Sequence, residues 1–305
     1  MSSKKPSVAV LLAAYNGVAW IGKQLESIQR QAAVDVTVFI SVDPSSDGTE
    51  AWCVEYEKAY RNVTVLPSAG RFGGAARNFL RLLRDVDFLP FDYVAFSDQD
   101  DIWYSNKLSR AISQVRSAGC DAYSSNVIAF WPDGRRMMLD KAQPQAQWDY
   151  LFEAAGPGCT YVLSRVLAQA FKQSLIDQWE RAQDVSLHDW YCYAFARSHG
   201  YRWCIDPQPG MDYRQHSSNE VGANVGLKTV YKRLGRIWDG WWFSQIRLIS
   251  SLVAQTATSP VNDVAMLGRV AMIRLALMAK CCRRRGRDQL AFAVICLVEA
   301  LRGRD

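Results

Sequence analysis

The chain has 305 residues, 49% hydrophobic and 22% charged, which is enough apolar material for one large α/β domain with an appendage or for two modest domains, and which excludes a mostly disordered polypeptide. The net charge of +6 is unevenly placed: from Lys228 onward 14 Lys and Arg face 5 Asp and Glu, so that this +9 tail leaves −3 for the first 227 residues. Eight cysteines show no C-x-x-C pair and no His/Cys cluster at zinc spacing, which argues against a structural zinc site and for reduced, cytosolic thiols.

The start, MSSKKPSVAVLLAAYNG, has a basic opening and a short apolar stretch that reads as a first strand, Val8 to Ala14, and not as a leader. Its unbroken apolar run suits a strand buried on both faces of a parallel sheet. Trp20, Ile21, Leu25 and Ile28 then recur at helical spacing, so a helix packs back on the sheet. Val36 to Val42 is a second strand, ended by the turn Asp43-Pro44-Ser45-Ser46-Asp47-Gly48 ahead of a helix near Glu50 to Tyr60. A third short strand at Val63 to Leu66 precedes GRFGGAARNFLRLLRD, where Gly73 and Gly74 open a helix carrying Phe79, Leu80, Leu82 and Leu83. Tyr93 to Phe96 is the next strand and runs into Ser97-Asp98-Gln99-Asp100-Asp101. Repeated strand–helix alternation predicts right-handed βαβ units, in which ligands bind beyond the carboxyl ends of the strands. Tyr15, Asp43 and Asp98 are therefore expected to face one crevice.

After a helix near Lys107 to Ser117, residues 121 to about 161 read as shorter strands and loops, with turns at Pro132-Asp133-Gly134 and Gly156-Pro157-Gly158. A helical stretch near Ser164 to Glu180 precedes Leu187-His188-Asp189-Trp190, and Tyr201 to Ile205 predicts another strand. Beyond Lys228 the pattern is helical and basic, giving expected domains of 1–227 and 228–305. Its apolar runs are too short or too often broken by Arg to cross a bilayer of about 30 Å. Trp241, Trp242, Phe243, Leu248 and Ile249, with Arg283-Arg284-Arg285, have two readings: helices lying on an anionic leaflet, or helices packed on the protein with a solvated basic face. No nucleic-acid motif accompanies the charge.

Three carboxylates within four positions repel one another unless a cation or strong donor sits among them. Hard carboxylate oxygens suit Mg²⁺ or Mn²⁺, ions that keep phosphate oxygens in their shell. An acidic N-cap for the following helix is the plainer alternative. Asp43 is placed to accept from a nucleobase or ribose donor, or to act as a turn cap. Asp189, between His188 and Trp190, has an aromatic setting that can raise a carboxylate toward a useful base, although such a residue read alone is more often structural.

Taken in order, AAYNG…QLESIQRQ, VDPSSDGT, GRFGGAARNF, FSDQDDIW…KL and HDW resemble glycosyltransferase family 2, over residues 7 to about 226, and within it the bacterial rhamnosyltransferase-like members that build O-antigen and other surface polysaccharides. The stretch Tyr213-Arg214-Gln215-His216…Asn219…Gly222 is similar to a tail motif of that subgroup. The resemblance implies an α/β GT-A fold, a Rossmann-like mixed sheet flanked by helices, with a C-terminal helical extension. It implies an inverting transfer of a sugar, L-rhamnose in this subgroup, from a nucleotide sugar such as dTDP-L-rhamnose to a saccharide or lipid-linked saccharide. By matching positions, Ala13, Tyr15 and Asp43 would contact the nucleobase, Asp98 the ribose, Asp98 and Asp100 a divalent cation (Mg or Mn), and Asp189 would be the base. Arg214 would neutralise diphosphate and His216 would complete the metal shell. Ala13 where relatives carry Pro or Thr, and Asp43-Pro44 for Asp-Asp, depart from the family pattern. The cytoplasmic face of the plasma membrane is the expected location, with an anionic membrane surface as a candidate partner. A nucleotidyltransferase and a non-catalytic sugar-nucleotide-binding scaffold are the rival readings.

Overall fold

The computed structural model describes residues 4–216, 239–253, 260 and 268–302. Asn219, Gly222 and the expected boundary at 227/228 lie outside the described residues. These residues fall into two compact units, the first drawn from Met1–Ala142, Gly156–Asp189 and Tyr201–Asn224, the second from Gln143–Ala155, Trp190–Gly200 and Val225–Asp305.

The first unit opens as the apolar periodicity dictates. Strand β1 (Ser7–Ala14) is buried almost throughout, α1 (Ile21–Gln29) lays Ile21, Leu25 and Ile28 on the sheet, and β2 (Asp35–Val42) follows. Then come α2 (Thr49–Ala59), β3 (Val63–Val65), α3 (Ala75–Asp85) and β4 (Tyr93–Ser97). Beyond the acidic turn lie β5 (Ile102–Trp103), α4 (Lys107–Ala118), β6 (Ala122–Ser125), β7 (Val127–Phe130) and β8 (Arg136–Leu139). Strand β9 (Val162–Ser164), α5 (Arg165–Asp177), α6 (Trp179–Ala182), the start of α7 (His188–Ser198), β10 (Trp203–Asp206) and β11 (Met211–Arg214) complete it.

Seven strands form the main sheet in the order β10-β6-β9-β4-β1-β2-β3, and a second sheet runs β5-β11-β7-β8. All main-sheet neighbours are parallel except β9, which is antiparallel to both β4 and β6. This is the mixed, helix-flanked α/β sheet expected. Register fixes the site: Leu12 pairs with Ser97 and Ala14 with Val42, so Asp98 stands level with Ala13 and Asp43 with Tyr15. Because β9 runs the other way, its beginning lies at this edge, and Tyr161 accepts at its carbonyl from the Phe96 N–H at 3.1 Å.

In the second unit, α7 continues, followed by α8 (Trp241–Leu252), α9 (Arg269–Leu277), α10 (Ala279–Cys282) and α11 (Gly286–Arg302). Phe243 and Ile249 are buried, and Trp242 lies against Phe152 and Phe292. Arg284 is buried with its guanidinium 3.4 Å from the Asp149 carboxylate, and Arg283 lies 3.5 Å from Glu153. These contacts all lie within the second unit, and the burial of Arg284 departs from the solvated basic face expected of the packed alternative. No described helix is long and apolar enough to cross a membrane.

Candidate active site

Three strand-end loops are tied together by short polar side chains. Asn16, in the left-handed region at φ 45, takes a bond from the Ser46 N–H at 2.8 Å and gives its own N–H to Ser45 Oγ at 3.0 Å. Gly17 N–H donates to Thr49 Oγ1 at 2.8 Å. Across the other seam, Gln99 binds the backbone of Tyr15 with both ends of its amide, accepting from N–H at 2.9 Å and donating to C=O at 2.7 Å. A side chain at Gly17 would collide with that amide, its Cβ lying 1.9 Å from Gln99 Oε1. The crevice floor is thus rigid, while the Tyr15 ring is exposed above it.

Asp43 is buried, and its two oxygens accept from the N–H groups of Phe72 and Gly73 at 2.7 and 2.9 Å. The carboxylate therefore folds the glycine-rich loop over the end of β2, where Gly73 takes φ 76. This is a structural task the sequence did not reveal.

The acidic turn is sorted by depth. Asp98 is half-buried, Asp100 is buried with one oxygen 2.6 Å from His216 Nε2, and Asp101 is wholly buried. Burial, reinforced by the charges of Asp100 and Asp98, drives the Asp101 carboxyl well above the usual carboxylate range. Its Oδ1 accepts from the Arg214 N–H at 3.2 Å, while Oδ2 is buried without a hydrogen-bond partner. Arg214 also donates from Nε to the Asp100 carbonyl at 2.8 Å and stacks 4.6 Å from the Phe130 ring centroid, so it props the turn from β11. The His216 ring is stacked on Trp20 with centroids 4.2 Å apart.

Donor atoms of Asp98, Asp101 and Cys159 lie within 4.8 Å of one another. The metal residues expected from the sequence thus fall into two neighbouring sets, Asp98 with Asp101 and Cys159, and Asp100 with His216. Burial pushes the Cys159 thiol well up, so it is a protonated, soft group unsuited to Mg²⁺ or Mn²⁺. Two carboxylates and an imidazole, Asp98, Asp100 and His216, have the chemistry such a cation takes. Beneath them lies the buried Lys107, its Nζ 3.4 Å from the Trp103 ring centroid and without a hydrogen-bond partner; burial lowers it to about 7.

Asp189 is half-buried in the first turn of α7. His188, before it, is buried and stacked on Phe79 with centroids 4.0 Å apart. Gly158 fits closely against both: a Cβ there would lie 2.9 Å from His188 Nε2 and 3.0 Å from Asp189 Cβ. The next residue is Cys159, at the acidic turn. One peptide link, about 3.8 Å between Cα atoms, therefore separates the neighbour of Asp189 from the neighbour of Asp98 and Asp101. Ala13, Tyr15, Asp43 and Asp98 share the sheet edge, and Asp189 is brought to it by Gly158–Cys159. Sequence reasoning missed Gln99, Lys107, Gly158 and Cys159. Only the glycine and proline of Gly156-Pro157-Gly158 signalled a tight approach.

A mixed α/β sheet whose strand ends gather acidic groups is the arrangement of a GT-A nucleotide-sugar transferase, and the comparisons with known proteins agree with that class. The chain belongs to the family described as Glycosyl transferase family 2, which matches residues 9–172. It is 46% identical over 280 residues, 92% of this chain and 96% of the relative, to the dTDP-rhamnosyl transferase RfbG of Shigella flexneri. It is 25% identical over 167 residues, 54% of this chain and 62% of the relative, to the UDP-Glc:alpha-D-GlcNAc-diphosphoundecaprenol beta-1,3-glucosyltransferase WfgD of Escherichia coli. The fold is shared with S. aureus TarS 1-349 in complex with UDP, at TM-score 0.57 and 14% identity, covering 97% of this chain and 89% of that one. It is shared also with the mannosyltransferase PcManGT of Pyrobaculum calidifontis in complex with GDP-Man and Mn2+, at TM-score 0.50 and 14% identity, covering 98% and 88%.

Proposed function

We propose that this glycosyltransferase moves L-rhamnose from dTDP-L-rhamnose, with inversion, to a saccharide or lipid-linked saccharide in the building of an O-antigen-like surface polysaccharide at the cytoplasmic face of the plasma membrane. The observation that carries the donor is the 46% identity to the dTDP-rhamnosyl transferase across nearly the whole length of both chains. The lipid-linked acceptor is supported by the diphosphoundecaprenol in the name of the Escherichia coli relative. A division into a catalytic domain at 1–227 and a basic helical region at 228–305 accompanies this assignment, with an anionic membrane surface as partner of the latter.

In this mechanism Tyr15 and the β1 end at Ala13 border the nucleobase, Asp98 borders the ribose, and Asp43 acts through the glycine-rich loop it holds. Asp98, Asp100 and His216 would hold Mg²⁺ or Mn²⁺, which when bound supplies Lewis-acid stabilisation of charge on the leaving diphosphate. Arg214 keeps the acidic turn in place from below. Asp189 takes the proton from the acceptor hydroxyl as that oxygen bonds to the anomeric carbon, and the nucleoside diphosphate leaves from the opposite face. The first strand is followed by Tyr15-Asn16-Gly17 and not by a glycine-rich phosphate loop, which disfavours a nucleotidyltransferase.

The test is transfer by the purified protein across dTDP-, UDP- and GDP-sugars, with and without EDTA. dTDP-L-rhamnose should be preferred and EDTA should abolish turnover. Asp189→Asn should keep donor binding, read as a thermal shift, and lose about 10²- to 10⁴-fold in rate. Preference for another donor, activity indifferent to EDTA, or near-normal turnover of Asp189→Asn would each overturn the corresponding assignment.

A further inference from the structure

Helices α9 and α11 pack on one another within the second unit. On α11, Phe292, Cys296 and Ala300 form the buried face at a spacing of four. The opposite face should then be polar. It carries instead Leu290, Val294, Leu297, Val298 and Leu301, all exposed, with Leu301 at 83%. On α9, Met272 and Leu275 are buried, and Val270, Ile273 and Leu277 are exposed, Leu277 at 82%. Eight large aliphatic side chains on two adjacent helices are thus turned to water, more than scattered surface residues account for.

The charges around them have one sign. Arg269, Arg274, Lys280 and Arg287 are exposed, while the two acidic residues in 268–302, Asp288 and Glu299, are only half-exposed and lie beside Arg287 and Arg302 respectively. Arg287 stands three residues before Leu290 and seven before Val294, at the head of the aliphatic stripe. A two-fold pairing of this face with itself would set these cations against an identical set. Anionic headgroups above a hydrocarbon layer complement both features at once. With 17 residues, α11 spans about 25 Å at 1.5 Å per residue, short of the bilayer core, so it would lie along the surface.

We propose that the aliphatic face of α9 and α11, with its flanking Arg and Lys, is the surface by which this chain docks on an anionic lipid membrane. It deepens the membrane assignment above, rests on it, and moves it from Trp241, Trp242 and Arg283–Arg285 to a different set of residues.

The experiment is flotation of the full-length protein with phosphatidylcholine vesicles, with and without phosphatidylglycerol. Recovery should rise about tenfold with the anionic lipid and fall with added salt. The triple variant Val294→Ser, Leu297→Ser, Leu301→Ser and the charge variant Lys280→Glu, Arg287→Glu should each lose this binding, with melting temperatures unchanged because all five side chains lie outside the packed face. Vesicle recovery of the variants equal to that of the parent overturns the proposal. So does sedimentation showing a lipid-free dimer that the triple variant dissociates, which would assign the face to a second copy. A dTDP-sugar thermal shift on the same samples reports separately on the donor site: its loss with flotation retained rejects the donor assignment and leaves the docking face standing.

Discussion

His188 and Asp189 are neighbours in sequence with opposite surroundings. Asp189 is half-open at a helix end, whereas His188 is sealed between aromatic rings and lowered by burial from 6.5 to about 3. The unfolded chain accepts a proton near pH 6.5 that the folded chain refuses until about pH 3, so between these values the unfolded state binds more protons. Stability should therefore fall as pH drops through this window, by up to about 1.4 kcal/mol per pH unit from this group alone, and be unaffected by it above pH 6.5. His188→Gln should show a shallower decline than the parent in urea melts between pH 6.5 and 4. Parallel slopes for the two proteins would place the imidazole in contact with water. Asp98 and Asp100 drew attention in the sequence as acids after an apolar strand, whereas Asp189 read alone as more often structural and was singled out by the family resemblance. Cys159 and Lys107 could not be picked out, since a thiol or a lysine shows its meaning only through what encloses it, and the enclosing residues come from distant segments.

Elements were legible where one period dominated. The strands at Val8 and Tyr93 and the helix carrying Phe79 and Leu83 follow from their apolar spacing, and their order predicted the shared crevice that the register of β1, β2 and β4 produces. The stretch from 121 to 161 was read only as short strands and loops, because β7 and β8 expose part of their length and carry a weak period. The reversal of β9 was invisible, since strand direction is set by pairing partners and not by composition. Asp43 belongs to this scale as well, for it fastens a loop. Asp43→Ala should leave the N–H groups of Phe72 and Gly73 without acceptors, cost about 1–3 kcal/mol in stability, and speed amide exchange at 70–74. Hydrogen-exchange mass spectrometry would detect it; unchanged exchange there would show that the loop is held by other contacts.

At the scale of the whole molecule, charge was the least faithful guide. The tail's arginines read as a solvated or lipid-facing run, yet Arg284 lies inside the second unit with Asp149, Arg197 and the Tyr193 hydroxyl, the last 3.0 Å from the carboxylate. Asp149 lies 135 positions before Arg284, so no local pattern announces the pairing. Removing the acid takes the counter-charge from half-buried Arg197 and leaves buried Arg284 with Glu153 alone, 3.6 Å away, and Asp149→Ala should destabilise the protein by about 3 kcal/mol. Thermal melts would show this as a lowered midpoint or a separate early transition; a midpoint within experimental scatter of the parent would mean that water reaches the cluster.

The direction of β9 also bears on how such a cleft is assembled. In a sheet running one way only, every segment at the ligand edge is one the chain meets on leaving a strand, so it leads onward into a helix and is constrained by that helix. Residues 158–161, a single 3-10 turn at Gly158–Thr160 and the residue after it, reach the same edge on the way into a strand. Small residues can therefore be set there for closeness alone, bringing the chain's late-arriving acid up to the aspartates laid down near its start.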